Sequence, residues 1–85
     1  MAIRILYSSL APTAQAVAEH ATRAAIGSRP GDWSVCFIEP PRQPLCVIVI
    51  DGPNGFTHTW CFDPDDVRYE IIRGSVRRDL SESAT

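Results

Sequence analysis

Leu45-Cys46-Val47-Ile48-Val49-Ile50-Asp51 is the stretch whose reading decides the fold. Six apolar residues stand in a row here, four of them β-branched, between Pro44 and the Gly52-Pro53 pair. A strand with one side in water alternates apolar and polar residues, because successive side chains point to opposite faces. This stretch does not alternate. It predicts a central strand whose two faces both need cover, and the neighbouring segments are read by what they can supply.

Immediately downstream, Gly52-Pro53-Asn54-Gly55 is a hairpin signal. Proline and asparagine suit a type I turn, and Gly55 suits the left-handed residue that follows. A three-residue loop Pro53-Asn54-Gly55 sets His58 opposite Ile50 and Trp60 opposite Ile48. A two-residue loop would flip the next strand and set Cys61 opposite Cys46; the turn residues favour the first register. Phe56 to Phe62 is then a strand of alternating character. Upstream, Trp33 to Glu39 reads as a strand with Trp33, Val35 and Phe37 on one side. Pro40-Pro41-Arg42-Gln43-Pro44 suits neither strand nor helix and makes a stiff connection.

Two helices flank this meander. Pro12 fits a first helical turn, with Ser8 or Ser9 as caps, and alanine dominates from Ala14 to Ala25. Gly27 fits the left-handed position past a helix end. The apolar stripe is thin: Leu10, Val17, Ala21, Ala24 and Ile26. Glu19 and His20 fall outside it, as solvated surface residues. Asp63-Pro64-Asp65-Asp66 has the marks of a second helix start, with acids near the positive end of the dipole. Val67, Ile71 and Ile72 would face inward until Gly74. Residues 64–73 thus read as helix, against a rival reading of Val67 to Ile71 as a fourth hairpin strand. Residues 2–7 fit a strand through Ile3, Ile5 and Tyr7, and also a helix face through Ile3, Leu6, Tyr7 and Leu10; an edge strand suits those residue types better.

The expected fold is therefore α+β. It is a two-layer sandwich of an antiparallel three-stranded meander with two helices, in the order (β)-α-β-β-β-α, the first strand being an N-terminal edge. One domain would cover 1–80, with 81–85 a frayed tail. At 85 residues such a chain buries only about 60–65% of its unfolded surface.

Apolar residues make up 45% and charged residues 21% of the chain, and the net charge is −2. No run of like charge stands out, so nothing pulls generally toward nucleic acid or an acidic membrane. All eight basic residues are arginine. That suits bidentate recognition of carboxylate or phosphate, but codon bias in a GC-rich genome accounts for it more simply. The three cysteines Cys36, Cys46 and Cys61 are unpaired in spacing and lie in apolar strands. They predict reduced, buried, slow-reacting thiols in a cytoplasmic protein. The apolar stretch near Met1 is too short and too interrupted for a secretory signal, and none is long enough for a membrane span.

No pattern carries a reaction. His58 and Cys61 stand three apart on a strand and point to opposite faces, so they cannot share a metal ion. Asp63, Asp65 and Asp66 lack the glycine and terminal glutamate of a calcium loop. A cysteine nucleophile with His58 as base, as in a small hydrolase, has no orienting acid in evidence. There is no phosphate loop, dinucleotide fingerprint or other cofactor motif; the chain is expected to be no enzyme and to use no metal or cofactor.

The helix, three strands, helix order is similar to that of double-stranded-RNA-binding domains and of small toxins built on the same plan. Those domains set a basic start of the last helix against phosphates. This chain has Asp63, Asp65 and Asp66 there, which would repel them. Arg73, Arg77 and Arg78 keep a nucleic-acid-binding module as the alternative. The favoured expectation is a small protein-interaction or regulatory module of inhibitor, immunity or accessory type, burying an apolar sheet face in a homodimer or against a partner. Either Ile48, Ile50, His58 and Trp60, or Val47 and Val49 with Trp33 and Phe37, would form that face. Trp60 is the expected anchor, with His58 and Ile48 beside it and Trp33 as the substitute.

Overall fold

Four short strands and two helices follow from these local preferences. A computed structural model of the chain describes residues 2–83. The elements are β1 (Ala2–Ser8), α1 (Pro12–Ile26), β2 (Asp32–Ile38), β3 (Cys46–Asp51), β4 (Thr57–Phe62) and α2 (Tyr69–Ser83), with single 3₁₀ turns at Pro53–Gly55 and Pro64–Asp66. The order is β-α-β-β-β-α, and the sheet runs β1-β2-β3-β4. β2, β3 and β4 form the antiparallel meander. β1 is an edge strand parallel to β2, so the sheet is mixed. The Cα radius of gyration, 12.0 Å, equals the roughly 12 Å of a compact chain of this length.

The hairpin has the register that a three-residue loop requires: Trp60 pairs with Ile48 and His58 with Ile50. Its turn is not the expected type I form. Asn54 (φ 62°) and Gly55 (φ 77°) are both left-handed, a conformation asparagine tolerates better than most residues. The Gly52 N–H donates to the Phe56 carbonyl at 2.9 Å and closes the loop.

Buried residues alternate along the meander strands: Trp33, Val35 and Phe37 on β2, Cys46, Ile48 and Ile50 on β3, Trp60 and Phe62 on β4. They form one core with Ala18, Ala21, Ala25 and Ile26 of α1 and with Ile72, Val76 and Leu80 of α2. Both helices therefore lie on one face of the sheet. Phe37 sits opposite Ile48, so Trp33 and Phe37 share the covered side with Ile48 and not, as the sequence reading grouped them, with Val47 and Val49. The long proline-rich connection between β2 and β3 hides that register from sequence, because no turn chemistry sets its length.

The α1 boundaries match expectation, and Gly27 (φ 60°) ends it with its N–H on the Arg23 carbonyl. The cap does not: Ala11 stands at the start with no side-chain bond. Ser8 instead accepts the Leu10 N–H, and Ser9 accepts the Glu39 N–H and ties β1 to the end of β2. The segment after β4 is helical, not a fourth hairpin strand, but it starts and ends later than residues 64–73. The acids belong to the 3₁₀ turn, and α2 runs through Gly74 to Ser83. Ser81 to Ser83 are thus helical where a tail was expected, and residues 84–85 lie outside the described residues. Near one end of the helix pair His20 of α1 meets Tyr69 of α2, with ring centroids 4.8 Å apart. Near the other, Arg29 donates to the Ser81 hydroxyl at 3.1 Å. The helices run side by side in the same sense.

Two glycines give a paired test of this packing. A Cβ at Gly52 would fall 2.5 Å from the Trp33 ring, whereas one at Gly74, in mid-helix, meets nothing within 4 Å. Gly52→Ala is expected to cost about 1–3 kcal/mol by overpacking, and Gly74→Ala to add about 0.5–1 kcal/mol by lowering the entropy of the unfolded chain. Urea unfolding of the two variants beside the parent reads both signs.

Candidate functional site

The sheet face turned away from the helices is read directly from strand pairing. Beyond the Ala2–Asp32 pair at one end, three cross-strand rows lie on it. Arg4, Ser34, Asp51 and Thr57 form one; Tyr7, Cys36, Val49 and Thr59 the next; Ile38, Val47 and Cys61 the third. A bulge in β1 between Ile5 and Tyr7 brings Tyr7 into the second row and leaves Leu6 outside the pairing. The first row is polar and carries both signs of charge. The other two are largely apolar, with Cys36, Ile38, Val47 and Val49 half-buried by their neighbours alone. At the β1 edge Leu6 and Tyr7 are 60% and 56% exposed. Contiguous apolar surface of this kind makes the face a candidate for contact with another molecule.

The residues singled out from sequence fall elsewhere. Ile48 is 0%, Trp33 6% and Trp60 7% exposed, all three beneath the helices. None of them can anchor a contact on the open face, and this corrects the expectation for each. The tryptophans went inward because two slender helices, one of them mostly alanine, leave volume that only large side chains fill. Val47 and Val49, of the other set, are the residues left outside. His58 is exposed at the β4 edge, on the helix side of the sheet.

His58 does belong to a polar cluster. The buried Trp60 indole N–H donates to Asp79 Oδ2 at 2.7 Å, His58 Nε2 lies 3.8 Å from the same oxygen, and the two rings stand 4.4 Å apart. Arg78 Nε lies 3.5 Å from Asp79 Oδ1. The indole hydrogen bond, with help from Arg78 and His58 and against partial desolvation, holds the Asp79 carboxyl below the usual carboxylate range. Sequence reasoning missed Asp79. A buried indole needs an acceptor, but nothing in the spacing says which acid supplies it. His58 approaches Asp79 at a distance too long for a hydrogen bond, and no described contact places a nucleophile against it.

The C-terminal arginines do not make one patch. Arg73 is half-buried, with its guanidinium 5.6 Å from the Tyr69 ring and its Nε lacking a partner. Arg77 follows it by four residues on the same helix face and is exposed. Arg78 points elsewhere, toward Asp79. Among the described residues no group of three histidine, cysteine or acidic side chains could hold a metal ion, and no helix is long and apolar enough to cross a membrane. No family model matches the chain, and neither a curated protein nor a solved structure shows significant likeness to it.

The thiols are free but not uniformly hidden: Cys46 is buried, Cys36 half-buried and Cys61 exposed on the open face. Burial first, then the negative charge of Glu39 and the neighbouring Cys61, push the Cys46 thiol up to about 11. Titration of the folded protein is expected to modify Cys61 first, Cys36 more slowly and Cys46 only on unfolding. Mass mapping of the labelled cysteines over time checks the order; early labelling of Cys46 would refute it.

A second expectation concerns Asp79. A carboxylate whose folded pKa is depressed stabilises the fold above its unfolded value, about 3.9, and loses that contribution as pH falls through the folded value. Asp79→Asn should therefore be less stable than the parent at pH 7, with the gap closing below about pH 4. Urea midpoints of both proteins from pH 7 to pH 3 measure it, and a gap that stays constant with pH would contradict it.

Proposed function

We propose that this chain is a small protein-interaction module that pairs with a second copy of itself through the open face of its sheet, and that it acts by occupying a surface rather than by catalysis. One observation carries the reading: both helices lie on the same face, so the rows around Val47 and Val49 have no cover. Inhibitors and accessory subunits work in this way, and a regulatory role of that kind is the class the chain fits best.

The face is suited to its own copy. A half-turn about an axis along the strands lays β2 of one copy over β3 of the other and sets each row against itself. The apolar rows then meet, with Val49 near the partner's Cys36 and Val47 near the partner's Ile38. In the polar row Arg4 comes above the partner's Thr57, within reach of the partner's Asp51, so unlike charges face each other twice. Aligned packing of twisted sheets follows this arrangement. Four strands about 4.8 Å apart, with residues about 3.3 Å apart, give a face near the small end of specific interfaces. The total buried area would be about 1,000 Å², and the dissociation constant of order micromolar or weaker.

Sedimentation equilibrium over a range of concentrations tests this. A reversible dimer is expected, with Val49→Lys weakening it by about tenfold or more while the helix signal in circular dichroism stays that of the parent. A chain that remains monomeric at about 1 mM, or a Val49→Lys variant that dimerises as well as the parent, would refute the reading.

A further inference from the structure

At the end of the sandwich where α1 finishes, the β3–β4 hairpin and α2 enclose a groove of about 520 Å³. It is separate from the open face. Its walls are apolar: Trp33 and Phe56 stand edge to face with centroids 5.8 Å apart, and Pro30, Pro53 and Leu80 complete the lining. One cation, Arg29, stands among them. We propose that this groove binds a small carboxylate with an apolar, preferably aromatic, body: the ring against Trp33 and Phe56, the carboxylate on Arg29.

Three features support a built site. The first is the state of Arg29. It is half-buried, and its Nη1 donates to the Ala25 carbonyl at 2.8 Å and to the Ile26 carbonyl at 3.2 Å, while Nη2 donates to the Ser81 hydroxyl. These bonds fix the guanidinium plane and complement the carbonyl end of α1. They leave Nε outside these bonds, and Arg29 takes no part in the Arg23–Glu19 or Arg78–Asp79 ion pairs. A guanidinium carries five N–H donors and no acceptor, and its planar fork matches a carboxylate. A positive charge held rigidly beside apolar walls, with donor capacity unspent, calls for an anion.

The second feature is how the walls come together. Gly31 (φ 101°) lies so close to Pro53 that a Cβ there would fall 2.7 Å from the ring, and a Cβ at Gly52 would strike Trp33. The third is that Asn54 and Gly55, two of the four positive-φ residues described, line this groove. Unusual backbone gathers where the chain must hold a shape. The volume lies within the range typical of small-ligand pockets, about 300–1,000 Å³.

Sodium 3-phenylpropionate and its neutral twin 3-phenylpropanamide are the probes, followed by ¹H–¹⁵N spectra of the labelled protein. The Trp33 indole signal is assigned from Trp60→Phe. The acid should shift that indole and the Gly55 and Phe56 amides, with a dissociation constant of order 1 mM or tighter, and the amide should bind about tenfold more weakly or worse. Arg29→Gln should bring the acid down to the level of the amide and leave amide binding as it was. Loss of a helix cap alone would weaken both probes alike. Arg29→Lys, which keeps the charge and loses the fork, should retain part of the preference and serves if Arg29→Gln does not fold. Equal binding of acid and amide to the parent, shifts confined to residues away from Trp33, or an acid preference that survives in Arg29→Gln would each overturn the proposal.

Discussion

β3 is apolar on both sides, and among the described residues two α-helices of 15 residues each are there to cover it. Strand geometry sends Cys46, Ile48 and Ile50 one way and Val47 and Val49 the other. The first set is joined across the sheet by Val35, Phe37, Trp60 and Phe62, and it draws both helices to itself. The second set receives nothing. Full burial of a valine or isoleucine is worth about 1.5–3 kcal/mol relative to exposure, so Val47, Val49 and Ile38 together leave several kcal/mol unrealised in the isolated chain. The asymmetry of the two faces underlies both the stability of the core and the proposal of self-association.

The helix layer is held in place by polar contacts as well as by packing. His20 stacks on Tyr69 near one end of the pair, Arg29 reaches Ser81 near the other, and Asp79 takes the Trp60 indole hydrogen at the β4 edge. Each contact joins segments far apart in sequence, and Asp79 supplies the acceptor that the buried Trp60 indole needs. Arg29 does this while closing the end of α1, so one side chain links helix termination, helix–helix docking and the wall of the groove. Alanines 18, 21 and 25 let α1 lie close on the sheet. That closeness in turn requires the large rings of Trp33 and Trp60 to fill the ends.

Element type and order were legible because they rest on local chemistry: the unbroken run at Leu45–Ile50, the loop residues Pro53-Asn54-Gly55, and the alanine segment ended by Gly27. The hairpin register followed from loop length alone. Three features were not legible. The register of β2 on β3 depends on a proline-rich connection with no turn signature, so Trp33 and Phe37 were grouped with the wrong neighbours. The choice of covered face depends on which side has the larger summed side-chain volume, a property of the whole sheet. Tryptophan was expected at an interface for its frequency there, yet a small core needs its volume inside. Asp79 and Arg29 escaped notice for the same reason: their partners lie 19 and 52 residues away.

The central claim is that one sheet face is sealed and the other open. Solvent paramagnetic relaxation of isoleucine and valine methyl groups, recorded in dilute protein with a soluble gadolinium chelate, measures this residue by residue. Strong relaxation is expected at Ile38, Val47 and Val49, and weak relaxation at Val35, Ile48, Ile50 and Val76. Equal protection of the two sets in monomeric protein, or the reverse pattern, would contradict it.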